Sequence, residues 1–208
     1  MTNANYGKLV ARLIGAWFIL ALSLSALHVF STGPNQPPLA FGLAALLPLV
    51  LFAIWYGRSE AFRQFTLSLN PRTLTLIQSW RIVGYTFLIL YTYGILPGIF
   101  ALPAGWGDVF IGATAPLVAL KLATSAHRKS YLLWQVLGIT DLVLAVTLGA
   151  TSSLLSPEAV PNSAMTVLPL SLIPTFAVPL FLILHIISIA QARRWHEHAP
   201  AGERLAAA

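Results

Sequence analysis

The sequence predicts an all-α fold, a polytopic membrane helical bundle with six transmembrane helices, and two observations lead to this prediction. Of the 208 residues, 57% are hydrophobic and only 9% are charged, whereas soluble domains carry about 25% charged residues. Apolar stretches also recur that are long enough to cross a bilayer, which takes about 20 residues. In lipid such stretches satisfy their backbone groups only as helices or closed barrels, and their length favours helices.

Breaks rich in Pro, Gly or polar residues divide residues 1–192 into six apolar stretches, interpreted as a single transmembrane domain. The predicted spans are residues 9–30, 39–56, 73–96, 108–123, 131–151 and 166–192, followed by a polar cytoplasmic tail over residues 193–208. A cleaved signal peptide is the alternative for the first stretch. Its apolar part exceeds the usual core of about 7–15 residues, which favours a retained helix.

The basic residues predict the orientation of the bundle. Eleven of the twelve Lys and Arg residues lie beside alternate connections, and the positive-inside rule assigns this side to the cytoplasm. The sequence therefore predicts a cell membrane protein of the bacterial inner-membrane type with both termini cytoplasmic. Because the basic excess follows topology, nucleic acid is excluded as a partner. These eleven residues are Lys8, Arg12, Arg58, Arg63, Arg72, Lys121, Arg128, Lys129, Arg193, Arg194 and Arg204.

The twelfth basic residue, Arg81, lies inside the third span, about 14 Å beyond Arg72 at 1.5 Å per helical residue. A charge at the centre of a membrane costs at least about 2.5–3.5 kcal/mol on insertion scales, so Arg81 requires a partner. Asp141 lies about 15 Å into the fifth span, which runs in the same direction. We predict an Arg81–Asp141 ion pair within about 4 Å.

Two stripes at helical spacing are predicted to face the interior of the bundle, because lipid offers polar groups no hydrogen bonds and small residues allow helices to approach closely. The first is polar and belongs to the third span; the second is lined by small residues and belongs to the fifth. The stripes are Gln78, Arg81, Tyr85 and Thr92, and Gly138, Asp141, Ala145 and Gly149.

Asp108 follows a Pro- and Gly-rich segment that is typical of a turn. We predict that Asp108 caps the N-terminus of the fourth span; the alternative places it with His28, Tyr91 and Tyr93 in an outward-facing pocket. His28 and His185 differ by roughly 15 Å in estimated depth, which argues against a haem ligated by both. His185 is predicted to make a hydrogen bond between helices, and His28 to lie at the wetted interface.

A short internal similarity links the segments GWGDVFIGAT, starting at Gly105, and GITDLVLAVT, starting at Gly138. They share Gly, Asp and Thr at equal offsets. Membrane helices have a narrow composition in which Gly is frequent, so we interpret the three matches as coincidence.

Two classes of function fit these features. One is a small-solute or ion/proton-coupled binding and transport module with a midplane site at Arg81, Asp141 and Gln78, to which Asp108 and His28 are further candidates. The other is an accessory or scaffold subunit of a larger membrane complex that holds lipid or pigment. A homo-oligomer or partner membrane subunits fit either class.

The sequence offers little support for an enzyme, because it contains no motif of known catalytic chemistry and no paired catalytic residues. It contains no cysteine, which excludes thiolate metal sites and disulfides. No metal site is predicted, and the sequence does not identify a cofactor.

Overall fold

The computed structural model describes residues 3–31, 39–156 and 159–195. Within these ranges the chain is helical and contains no strand, which confirms the all-α prediction. The predicted break after the first span, from residue 32 to 38, lies outside the described residues, and so does the predicted tail beyond Trp195.

Eight α-helices and several shorter helical segments make up the described chain. The third predicted span is a continuous rod in which a 3₁₀ segment, Gln78–Gly84, separates two short α-helices. A π-helical turn, Val118–Leu122, extends α6, and another, Ile173–Ala177, precedes α8. The α-helices are α1 Asn3–Ala26, α2 Leu39–Arg58, α3 Glu60–Ser68, α4 Pro71–Ile77, α5 Tyr85–Thr92, α6 Gly98–Leu117, α7 Arg128–Leu155 and α8 Val178–Arg194.

Five helical stretches of the described chain are long and apolar enough to cross a membrane: Asn5–Ala26, Leu39–Arg58, Pro71–Thr92, Ser125–Leu155 and Ile173–Arg194. Helix α6 has 20 residues but does not join this group. It contains Asp108 together with several glycines and two prolines.

The fourth predicted span begins ten residues earlier than expected, at Gly98 instead of Asp108, so the predicted turn before Asp108 is wrong. Its glycines serve close packing against the rod Pro71–Thr92. A Cβ atom at Gly105 would meet the Leu88 side chain, and one at Gly112 would overlap the backbone of Ile82. Residue numbers rise along α6 where those of the contacted rod residues fall, so the two helices run antiparallel. Small residues allow their close approach.

The predicted polar stripe of the third span is only half correct. Gln78 and Arg81 are buried, but Tyr85 is 53% exposed and Thr92 is also exposed. The 3₁₀ segment explains this difference, because it turns 3.0 residues per turn instead of 3.6. Residues three apart therefore share a face within it, and the residues that follow are rotated away from the interior.

The basic residues of the described chain, apart from Arg81, belong to segments that meet at one end of the bundle. Arg128 Nε donates to the Ala192 carbonyl at 2.9 Å, which joins the start of α7 to the end of α8. Gln191 Nε2 donates to the Leu69 carbonyl at 2.8 Å, which adds the connection between α3 and α4. The Tyr6 ring of α1 stacks on a phenylalanine of α3 with centroids 5.7 Å apart. We call this end the basic end.

Trp17 gives helix α1 a second attachment to the bundle, toward the segment that precedes α8. Its indole Nε1 donates to the Thr175 carbonyl at 3.2 Å. Pro179 lacks the N–H that would bond this carbonyl in a regular helix. The indole therefore satisfies an acceptor that a proline has freed, which is the requirement that membrane helices place on such prolines.

Candidate functional site

The side chain of Arg81 is buried in the middle of the rod Pro71–Thr92, with 1% of its surface exposed. It belongs to the 3₁₀ segment, which turns it toward α6, α7 and α8. A guanidinium has five N–H donors and no acceptor. Its burial therefore requires several acceptors from neighbouring helices.

Helices α6 and α7 supply three of these acceptors. Nε donates to Asp108 Oδ1 of α6 at 2.7 Å, and Nη2 donates to Asp141 Oδ2 of α7. Nη1 donates to the Gly138 carbonyl of α7 at 3.1 Å. The predicted Arg81–Asp141 ion pair is confirmed as a contact. The two carboxylates are less buried than the guanidinium, with 13% of the Asp108 and 11% of the Asp141 side chain exposed.

The structure contradicts the prediction that Asp108 is an N-cap. Pro97 occupies the N-cap position of α6, and Asp108 lies close to the middle of that helix. Its carboxylate bonds Arg81 instead of the free N–H groups of a first helical turn. The sequence rule failed because a helix packed tightly against a neighbour uses the same glycines that usually mark a turn.

Three glycines make room for the cluster. A Cβ atom at Gly84 would overlap the Asp108 carboxylate, and one at Gly107 would overlap the Asp141 carboxylate. A Cβ atom at Gly138 would overlap the His185 ring. The helices therefore approach each other closely at the level of Arg81, which brings both carboxylates to one guanidinium.

His185 of α8 completes the cluster. Its Nε2 lies 3.3 Å from Arg81 Nη1, and its Nδ1 lies 2.5 Å from Gln135 Oε1. Since arginine only donates, Nε2 is the acceptor, and Nδ1 carries the proton that it donates to Gln135. This assigns His185 as a neutral imidazole with its proton on Nδ1. The predicted hydrogen bond between helices at His185 is confirmed.

The remaining candidates lie apart from this cluster. Gln78 Nε2 donates to the Phe181 carbonyl at 3.2 Å, one turn nearer the basic end than Arg81. His28 is exposed just after the end of α1, with a φ of 56°. Its N–H bonds the Ser25 carbonyl at 3.0 Å, and histidine is one of the residues that tolerate this left-handed conformation. The structure does not group His28 with Asp108.

Two sequence signals could have located the missed members of the cluster. The similar segments starting at Gly105 and Gly138 each place Asp three residues after Gly, and both of these aspartates bind Arg81. The depth estimated for His185, about 12 Å from the nearer membrane edge at 1.5 Å per residue, is close to that of Arg81. No group of three or more His, Asp or Glu side chains among the described residues is arranged to hold a metal ion.

Fold and site together define a class: an all-helical protein with helices of membrane-crossing length and an Arg–Asp–Asp–His cluster in its interior. The chain belongs to the family described as Domain of unknown function (DUF8737), whose model matches residues 37–193. The matched range contains the whole cluster and excludes α1 and His28. No curated protein and no solved structure matches the chain.

Proposed function

We propose that this chain is a six-span membrane protein that binds a proton at the Arg81 cluster and couples it to the movement of a small solute or ion. One observation carries the proposal: a single buried guanidinium is shared by two carboxylates, Asp108 and Asp141. They are the only aspartates in the sequence.

The charges of this cluster do not balance. Arg81 supplies one positive charge, the two carboxylates supply two negative charges when ionised, and His185 is neutral by its hydrogen bonds. An uncompensated charge in a low-dielectric interior is costly. A proton shared by the carboxylates restores neutrality. Release of that proton leaves a net negative charge, and a cationic solute or ion can then take the place of the proton. Ionisable residues within membranes commonly mark such pathways.

Two features support six spans and a cytoplasmic basic end. Helix α6 runs antiparallel to the rod Pro71–Thr92 with tight glycine contacts along its length, so it traverses the same depth. The segments that carry the basic residues meet at one end of the bundle, which the positive-inside rule assigns to the cytoplasm.

Cysteine accessibility tests this topology without background labelling, because the chain contains no native cysteine. Tyr93→Cys lies between α5 and α6, and Ser125→Cys lies between α6 and α7; both positions are exposed. We expect a membrane-impermeant maleimide to label Tyr93→Cys in intact cells and Ser125→Cys only after permeabilisation. Equal labelling of both from one side would show that α6 does not cross.

Infrared spectroscopy of protein labelled with ¹³C in the aspartate carboxyl groups tests the proton directly, because the label enters only Asp108 and Asp141. We expect a labelled carboxylic acid band at neutral pH that disappears as pH rises. Asp108→Asn or Asp141→Asn should remove or shift that band, and each should abolish proton uptake into proteoliposomes that is driven by an electrical potential.

Glu60→Gln provides the matched control, because it removes a carboxylate from a pair in which the Glu60 side chain is 59% exposed. This variant should leave the labelled band and proton uptake unchanged. If both aspartates are ionised at every pH at which the protein is folded, the proposal is wrong.

A scaffold subunit is the second candidate, and helix α2 favours it. Within α2, which is described throughout, no residue is buried. Lipid or a partner subunit would cover this helix in the membrane. If the labelled band is absent and the protein purifies with a partner whose removal exposes α2 to labelling, the cluster only fixes helix packing.

A further inference from the structure

Polar side chains form a ladder between the basic end and the Arg81 cluster. The ladder follows two helices that both start at the basic end, the rod Pro71–Thr92 and α7. Its side chains are each at most 2% exposed. Its members are Thr75, Gln78 and Arg81 on the rod, and Tyr131 and Gln135 on α7; the Gly138 carbonyl, which accepts from Arg81, lies at its upper end.

The lowest rung joins Thr75 to Tyr131. Thr75 Oγ1 donates to the Pro71 carbonyl at 2.8 Å and lies 2.9 Å from the Tyr131 hydroxyl. Since the threonine proton is already donated, Tyr131 is the donor in this contact. The Tyr131 oxygen keeps a lone pair that can accept a further hydrogen bond.

The middle rung contains two amides that are each half satisfied. Gln78 donates through Nε2 to the Phe181 carbonyl, and Gln135 accepts through Oε1 from His185. Gln78 Oε1 and Gln135 Nε2 are buried and have no hydrogen-bond partner among the described residues. One is an acceptor and the other a donor, which are the two roles that a buried water can fill, and buried waters commonly serve such groups.

A cavity of about 340 Å³ lies below the lowest rung at the basic end. Pro71, Gln191 and Trp195 line it, and the Trp195 ring lies 5.2 Å from the Tyr131 ring. Gln191 Oε1 is a further buried acceptor without a partner among the described residues. The wall between the cavity and Tyr131 therefore contains the Trp195 ring and one polar group, the Gln191 amide.

We propose that this cavity is a water inlet, and that a bound water at the middle rung accepts from Gln135 Nε2 and donates to Gln78 Oε1. The inlet gives the Arg81 cluster access to the basic end. Its role in proton delivery rests on the proposed function: a hydronium ion in the inlet passes a proton to the next hydrogen-bonded water, this exchange repeats up to the cluster, an O–H bond forms on a carboxylate oxygen, and neutral water remains.

The first test is an experimental structure of the unmodified protein at a resolution that shows ordered water. We expect a water within hydrogen-bond distance of Gln78 Oε1 and Gln135 Nε2, about 2.7–3.2 Å. A direct bond between these two atoms, or other protein partners for both, would overturn the proposal.

The second test measures hydrogen exchange of the His185 Nδ1 proton by NMR with ¹⁵N-labelled histidine. Gln78→Met keeps a similar length and removes both the acceptor Oε1 and the donor to the Phe181 carbonyl; we expect exchange to slow about tenfold, the effect of a barrier about 1.4 kcal/mol higher. Thr140→Val changes an exposed position on α7 and should leave the rate unchanged. Unchanged exchange in Gln78→Met would overturn the inlet. If that variant does not fold, the water density decides.

The two proposals can fail separately. If the labelled aspartate band is absent and the water is present, the proposal of proton binding is wrong and the hydrated ladder stands. If the labelled band is present but the water is absent and exchange is unchanged, the inlet proposal is wrong. Proton binding then stands, and the proton reaches the cluster from the other end of the bundle.

Discussion

Replacement of Arg81 by methionine is expected to lower the free energy of unfolding by about 3–5 kcal/mol, the loss found when one partner of a buried pair is removed. The change leaves Asp108 and Asp141 facing each other without a cation, and it also removes the donor to the Gly138 carbonyl. The measurement is reversible unfolding in mixed detergent micelles, with the folded fraction followed by circular dichroism.

The control for this change is Arg63→Met, which removes an arginine from a partly exposed pair with Glu60. Pairs of that kind contribute about 0–1 kcal/mol. Combining Arg81→Met with Asp108→Asn and Asp141→Asn should recover part of the loss, because no charge is then left without a partner. If this triple variant is no more stable than Arg81→Met alone, the carboxylates do not depend on the guanidinium for their burial.

Gly112→Ala is expected to be the second most damaging change, with a loss of about 1–3 kcal/mol from overpacking. Its Cβ atom would overlap the backbone nitrogen of Ile82. Backbone atoms cannot rotate aside as a flexible side chain can, so the 3₁₀ segment that carries Arg81 must shift. The same unfolding measurement applies, and the ¹³C-labelled aspartate band should shift with it.

Gly15→Ala is the matched control, because a Cβ atom at Gly15 would meet nothing within 4 Å. Alanine is favoured over glycine inside helices by about 0.5–1 kcal/mol, so this variant should be as stable as the original or slightly more stable. Equal effects at Gly15 and Gly112 would contradict the close approach of α6 to the rod.

The Arg81–Asp141 contact was predictable because depth and the cost of an isolated charge both indicated it. Two residues near the middle of parallel helices are at similar heights, and the cost of an isolated charge requires that they meet. The partner on α6 was not predictable by this reasoning, since the start of that helix was wrong by ten residues. Pro and Gly have two uses, in turns and in close helix packing, and only the neighbouring helix decides between them.

The polar stripe of the third span failed for a different reason. Tyr85 was assigned to the interior by continuing an α-helical period through Gln78–Gly84, but that segment is 3₁₀. The segment contains no proline that would indicate this change from α-helix to 3₁₀ helix. The tighter turn is accompanied by close contact with α6, where the Gly112 position leaves no room beyond a hydrogen atom.

The sequence alone determined the helical class of this protein, the placement of the described basic residues other than Arg81 at one end, and the need of Arg81 for an acidic partner. These properties follow from composition and from the cost of charge in an apolar medium, which are independent of how the helices are arranged. Only the tertiary structure decided that Arg81 has two carboxylates and a neutral His185 as partners. Those contacts depend on helix rotation and on spacing set by glycines, which chain position does not specify.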